Sequence, residues 1–199
     1  MLNFVNTFAV LLSVLASGSA YTQEALSDQI TDMPGAENVK IPFNQFSGYL
    51  AINGTSTGSK KLHYWMVESE NDPANDPVTF WTNGGPGCSG LLGFMTEQGP
   101  FRPNADKTIT LNEYAWNKVS TMVFIEAPAG VGFSYSDDKA DYDTGDAQTA
   151  SDNYFHFCRD FLNMLPLLYI SALNLMVVII CLHWLKKLLI KTLLVLILL

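Results

Sequence analysis

The stretch Trp81-Thr82-Asn83-Gly84-Gly85-Pro86-Gly87-Cys88-Ser89-Gly90 decides how the rest of this chain is read. It follows residues 78–81, a short apolar run that predicts a buried strand. Two adjacent glycines stand where that strand ends. Glycine takes backbone angles closed to other residues, so Gly84-Gly85 allows a sharp turn that presents amide N–H groups. Donors presented in this way stabilise the oxyanion that develops in acyl transfer. Taken alone, Gly-Gly-Pro-Gly reads equally as a tight turn with no chemistry.

Working outward, Gln45 to Ile52 reads as a strand that ends in the turn Asn53-Gly54. Residues 61–67, rich in Tyr, Trp, Leu and Val, read as its hairpin partner. Residues 71–77 hold two prolines and two aspartates and predict a surface loop. Downstream, Thr121 to Ile125 predicts a second buried strand, closed by Ala127-Pro128-Ala129-Gly130. Over 146–165, Ala147, Ala150, Tyr154, Phe157, Phe161 and Leu165 recur at helical spacing. A hairpin first, then strands alternating with helix, predicts a mixed α/β sheet.

With 199 residues, 48% of them apolar and 15% charged, the chain is long enough for one domain with a real core. A formal net charge of −8 makes nucleic acid an unsuitable partner. The charge is unevenly spread. Every Asp and Glu lies at or before Asp160, and from Phe161 onward the only charges are Lys186, Lys187 and Lys191. At the other end, the apolar run Phe8 to Leu15 precedes Ala16-Ser17-Gly18-Ser19-Ala20, whose small residues suit cleavage before Tyr21. Residues 1–20 therefore read as a signal peptide, although no Lys or Arg precedes the run; a buried N-terminal helix is the alternative. A secretory route implies an oxidising compartment. Cys88, Cys158 and Cys181 are odd in number, so at least one thiol has no partner within the chain. Asn53-Gly54-Thr55 fits an N-glycosylation acceptor in such a protein. No metal or cofactor motif stands out.

The glycine turn does not stand alone. Ser47-Gly48-Tyr49 lies on the first strand, and Glu97-Gln98-Gly99-Pro100-Phe101 follows the turn. Then come Leu111-Asn112-Glu113-Tyr114-Ala115-Trp116-Asn117 and the long run from Ile125-Glu126-Ala127-Pro128 to Phe133-Ser134-Tyr135. In this order, over about residues 46–166, the chain resembles the serine carboxypeptidase family, which includes lysosomal and vacuolar enzymes. The resemblance implies an α/β-hydrolase fold and a Ser-His-Asp triad that removes single C-terminal residues from peptides. It implies that the N–H of Gly85 is one oxyanion-hole donor. It further implies that Asn83 and Glu97, with Trp81 and Gly84 nearby, grip the terminal carboxylate of the peptide. A carboxylate held by a carboxyl side chain needs that side chain protonated, since like charges repel. Binding by Glu97 should then weaken as pH rises, which suits an acidic compartment. In the family Cys88 joins a disulfide with a distant partner, and no cysteine of this chain matches that partner.

The family's nucleophile stands in Gly-Glu-Ser-Tyr-[Ala/Gly]-Gly, and these 199 residues contain no such stretch. His63, His156 and His183 match no catalytic position and read as strand, helix and tail residues. The expectation is a chain with part of a substrate site and no triad, inactive in hydrolysis. The rival expectation is a membrane-tethered or secreted fragment that binds peptide C-termini without cutting them. Two readings also stand for the hydrophobic tail, 167–199. Residues 165–185 suit a membrane span, with Lys186, Lys187 and Lys191 on the cytoplasmic side. The other reading is a slipped frame. Reading from the third base of each codon, Met176-Val177 must give glycine and His183-Trp184 must give leucine. The pairs just before Met176-Val177 permit Glu-Ser-Tyr, which would restore the missing motif.

Overall fold

The structure is a computed structural model that describes residues 21–85, 87–153 and 175–179. A short helix α1 (Gln23–Ser27), capped by the Thr22 hydroxyl, leads into the hairpin β1 (Gln45–Ile52) and β2 (Lys60–Val67). Strand β3 (Val78–Thr82) and helix α2 (Gly90–Thr96) flank the glycine turn. A small hairpin, β4 (Phe101–Pro103) and β5 (Ile109–Leu111), forms its own two-stranded sheet. Strand β6 (Thr121–Ile125), the two-residue β7 (Tyr135–Ser136), helix α3 (Asp146–Ser151) and strand β8 (Leu175–Ile179) follow, with short 3-10 turns at Trp116–Lys118 and Lys139–Tyr142.

The main sheet runs β1-β2-β6-β3-β8, with β7 attached to β2. β1 and β2 are antiparallel, as are β2 and β6, whereas β6, β3 and β8 run parallel. The mixed sheet predicted from the hairpin and the later strands is therefore present. β3 and β6 are buried at every residue, as strands covered on both faces must be. Alternate residues serve opposite sides of the sheet. Val78, Phe80, Val123 and Ile125 join Phe46, Leu62 and Tyr64 in one core. Trp81, Met122 and Phe124 join Phe94 and Phe101 in the other. Phe94 of α2 anchors that second core, with ring centroids 4.6 Å from Trp65 and 5.1 Å from Phe124.

Two sequence readings reach only partly into the described residues. Of the helix expected over 146–165, Asp146–Ser151 is helical and has no buried residue. Its later stripe positions, Tyr154, Phe157, Phe161 and Leu165, lie outside the described residues. Of the hydrophobic tail, Leu175–Ile179 is a strand paired with β3, from Val78↔Leu175 to Thr82↔Ile179. The rest of 167–199 and the expected signal peptide, 1–20, also lie outside. Among the described residues no helix is long and apolar enough to cross a membrane.

Candidate active site

Three parallel strands, β6, β3 and β8, end at the same edge of the sheet, where ligands of open α/β sheets bind. The glycine turn leaves β3 at that edge. Gly85 has φ +142° and Gly87 φ +93°, angles that favour glycine. Cys88 N–H donates to the Gly84 carbonyl at 3.2 Å and closes the turn. Gly84 is half-buried and Gly85 exposed. Among the described residues the Gly85 amide has no hydrogen-bond partner. Cys88 is exposed and its thiol free among the described residues, while Cys158 and Cys181 lie outside them.

Trp81 and Asn83 are in direct contact. The buried indole N–H of Trp81 donates to Asn83 Oδ1 at 2.8 Å. That bond fixes the amide of Asn83 by its oxygen and leaves the NH2 to donate elsewhere. Trp81 also stands edge-on to Trp116, with centroids 5.7 Å apart. Gly93 makes the close approach of α2 possible. A Cβ there would sit 2.6 Å from Trp81 Nε1 and 2.8 Å from Gln98 Nε2. Glu97 caps the far end of the same helix through its N–H to the Gly93 carbonyl. Its carboxyl is exposed and bonds to no described residue. Its carbonyl accepts from the Arg102 guanidinium and from Asn112 Nδ2. Gly93 thus lies between the Trp81–Asn83 pair and the helix end that carries Glu97, and no hydrogen bond joins the Asn83 and Glu97 side chains.

A second set of polar groups was not legible in the sequence. Glu126 directly follows β6 and is fully buried. One carboxylate oxygen accepts from the Ser89 hydroxyl, and the other accepts from the Phe133 N–H at 2.8 Å and faces His63 Nδ1 at 3.1 Å. His63 Nε2 in turn meets Ser47 Oγ at 2.9 Å. Burial pushes the Glu126 carboxyl up, but the bonds from His63, Phe133 N–H and Ser89 outweigh it and hold the group below its usual range. His63 is therefore a linking residue of a buried network as well as a residue of β2. Ser47, His63 and Glu126 stand in the order of nucleophile, base and orienting acid. The N–H of Ser47 is nevertheless spent on the Asp28 carbonyl at 2.8 Å, so it cannot serve an oxyanion there. The signal was an acid placed directly after an apolar strand; its partners are too far along the chain to be inferred.

Asn53 is exposed at the tip of the β1–β2 hairpin. Its Oδ1 accepts from Gly58 N–H at 3.0 Å, and the Thr55 hydroxyl donates to Asp138.

The serine carboxypeptidase family model matches residues 34–173. Among curated proteins, the chain is 49% identical to the lysosomal protective protein of Mus musculus over 160 residues, covering 78% of this chain and 32% of that protein. It is 45% identical to serine carboxypeptidase-like 27 of Arabidopsis thaliana, covering 75% of this chain and 33% of the relative. It is 42% identical to serine carboxypeptidase 1 of Hordeum vulgare, covering 67% and 27%. The chain thus spans about a third of the length of the curated relatives it matches. The crystal structure of a prohormone-processing carboxypeptidase from Saccharomyces cerevisiae superposes with a TM-score of 0.61 at 23% identity, over 78% of this chain and 35% of that one. The architecture is thus part of an α/β-hydrolase fold. On the extent of the family match and the identity to its members, this chain belongs to the serine carboxypeptidase family.

Proposed function

We propose that the described residues form the carboxylate-binding and oxyanion side of a serine-type carboxypeptidase site, one that takes the C-terminus of a peptide. The observation that carries this reading is the Trp81–Asn83 hydrogen bond beside the amide of Gly85, at the end of a buried strand. Asn83 donates to the terminal carboxylate, Glu97 donates to it when protonated, and Gly84 lets the ligand approach the backbone. The N–H of Gly85 faces the carbonyl oxygen that becomes an oxyanion in acyl transfer. Trp81 holds Asn83 in place. A lysosomal or vacuolar setting fits a grip that works best in acid, and one relative is named for the lysosome.

The 199 residues hold no Gly-Glu-Ser-Tyr nucleophile motif, so this chain is proposed to bind without cutting. The test uses the expressed chain at acidic pH with an N-blocked dipeptide and the same dipeptide as its C-terminal amide. The free carboxylate should bind, and the amide should bind at least about tenfold more weakly, the loss of a charge-assisted hydrogen bond. Equal binding of the two would remove the carboxylate grip. Labelling of the chain by a serine-directed phosphonate would show a nucleophile where none is proposed.

A further inference from the structure

We infer that Glu126 is a positioning residue for Gly84 and Gly85 at the end of β3, acting through Ser89 and held in place by His63. The inference rests on the reading of the glycine turn as an oxyanion and carboxylate site. Among the described residues the backbone bond within the turn is Cys88 N–H to the Gly84 carbonyl. What fixes its exit is Ser89. The Ser89 hydroxyl oxygen accepts from Leu91 N–H at 3.1 Å and so caps α2, and its proton goes to Glu126. Both directions of the hydroxyl are used, which sets its rotamer and with it the backbone leaving Gly87.

Glu126 can take this proton because α2 starts flush against the end of β6. A Cβ on Gly90 would lie 2.3 Å from the Ile125 carbonyl oxygen, so the helix start and the strand end touch backbone to backbone. A fully buried carboxylate is costly unless every oxygen is bonded. Here His63, Phe133 N–H and Ser89 share that task. Each partner belongs to a different segment: β2, the loop after β6, and the start of α2. The carboxylate therefore references the glycine turn to the rigid centre of the sheet. Precise placement of this kind matters because small displacements of a preorganised donor cost affinity and rate steeply.

The experiment separates this role from ordinary helix capping. In the 199-residue chain, the Gly85 amide resonance and the affinity for the N-blocked dipeptide are measured for four variants. Ser89→Thr keeps the cap and the proton for Glu126. Ser89→Asp keeps the cap but sets a second carboxylate against Glu126. Ser89→Ala removes both. Glu126→Gln keeps the shape with a weaker acceptor. Ser89→Thr should match the parent chain. Ser89→Asp and Ser89→Ala should both move the Gly85 resonance and weaken binding about tenfold, with Glu126→Gln moving in the same direction. If Ser89→Asp or Glu126→Gln leaves the resonance in place and affinity within about twofold of the parent, the inference is overturned. Should the parent chain bind no dipeptide, the functional reading fails; the Gly85 resonance of the free variants still decides whether Glu126 positions the turn.

Discussion

Replacing Gly93 by alanine should damage Asn83 from a distance, and the size of the effect can be worked out. In an exposed helix the change would help, by about 1 kcal/mol, because alanine is the better helix former. Here the new methyl group would lie 2.6 Å from Trp81 Nε1, 3.1 Å from Trp81 Cε2 and 2.8 Å from Gln98 Nε2. The indole is buried and cannot swing clear without disturbing Trp116 and its bond to Asn83. Overpacking of this kind costs about 1–3 kcal/mol, and loss of the Trp81–Asn83 bond costs about 1 more. The helix gain offsets part of this, leaving a net loss of about 1–3 kcal/mol. For a chain of this length that lowers Tm by roughly 2–12 °C. Thermal unfolding followed by circular dichroism measures the shift, and the side-chain NH2 resonances of Asn83 report the local disturbance. A Gly93→Ala chain with an unchanged or raised Tm and unmoved Asn83 resonances would refute the packing argument.

Three other outcomes follow from the same structure. Lys60 and Asp152 form a buried ion pair at 2.7 Å that ties β2 to the end of α3; Lys60→Met alone should cost about 3–5 kcal/mol in urea unfolding, and Lys60→Met with Asp152→Leu should recover most of it. Glu126 and Asp141 are both pushed up by burial but held below the usual carboxylate range by hydrogen bonds, Asp141 by those from Ser136, Ser59 and Thr55 N–H. Their stabilisation is complete above the unfolded carboxylate value and lost as pH falls through the lowered folded values. Tm should thus fall steeply below about pH 4, and less steeply in Glu126→Gln. Finally, binding of the blocked dipeptide should weaken as pH rises; Glu97→Gln, which keeps a donor, should flatten that profile in calorimetry.

The parts of this fold legible in sequence are those set by local pattern. The hairpin of β1 and β2, the two fully apolar strands β3 and β6, and the turn glycines all declare themselves within a few residues. The resemblance places Trp81 and Asn83 in one motif, and the structure adds the hydrogen bond between them. The Glu126 network could not, since Ser47, His63, Ser89 and Phe133 meet it only through the crossing of four segments. His63 stands on β2 between buried Leu62 and Tyr64, and nothing local distinguishes it. Nor did the pattern show the β4–β5 hairpin, whose three-residue strands are too short for a period of two to register. Glu97 stands at the C-cap of α2, its N–H on the Gly93 carbonyl, a position that the motif by itself does not reveal.

The place of β3 in the sheet has a consequence for how such a chain is made. One flank of β3 waits for β6 and the other for β8, whose Leu175 pairs with Val78 far upstream. As the chain leaves the ribosome, Val78–Thr82 is synthesised long before either neighbour. Through that interval Val-Thr-Phe-Trp-Thr is an unpaired, uncharged strand rich in β-formers, the composition that recruits other strands. The segment that ends in the glycine turn is thus, while it waits, also an adhesive part of the nascent protein. The acidic residues around it, in a chain of net charge −8, keep such encounters apart by repulsion.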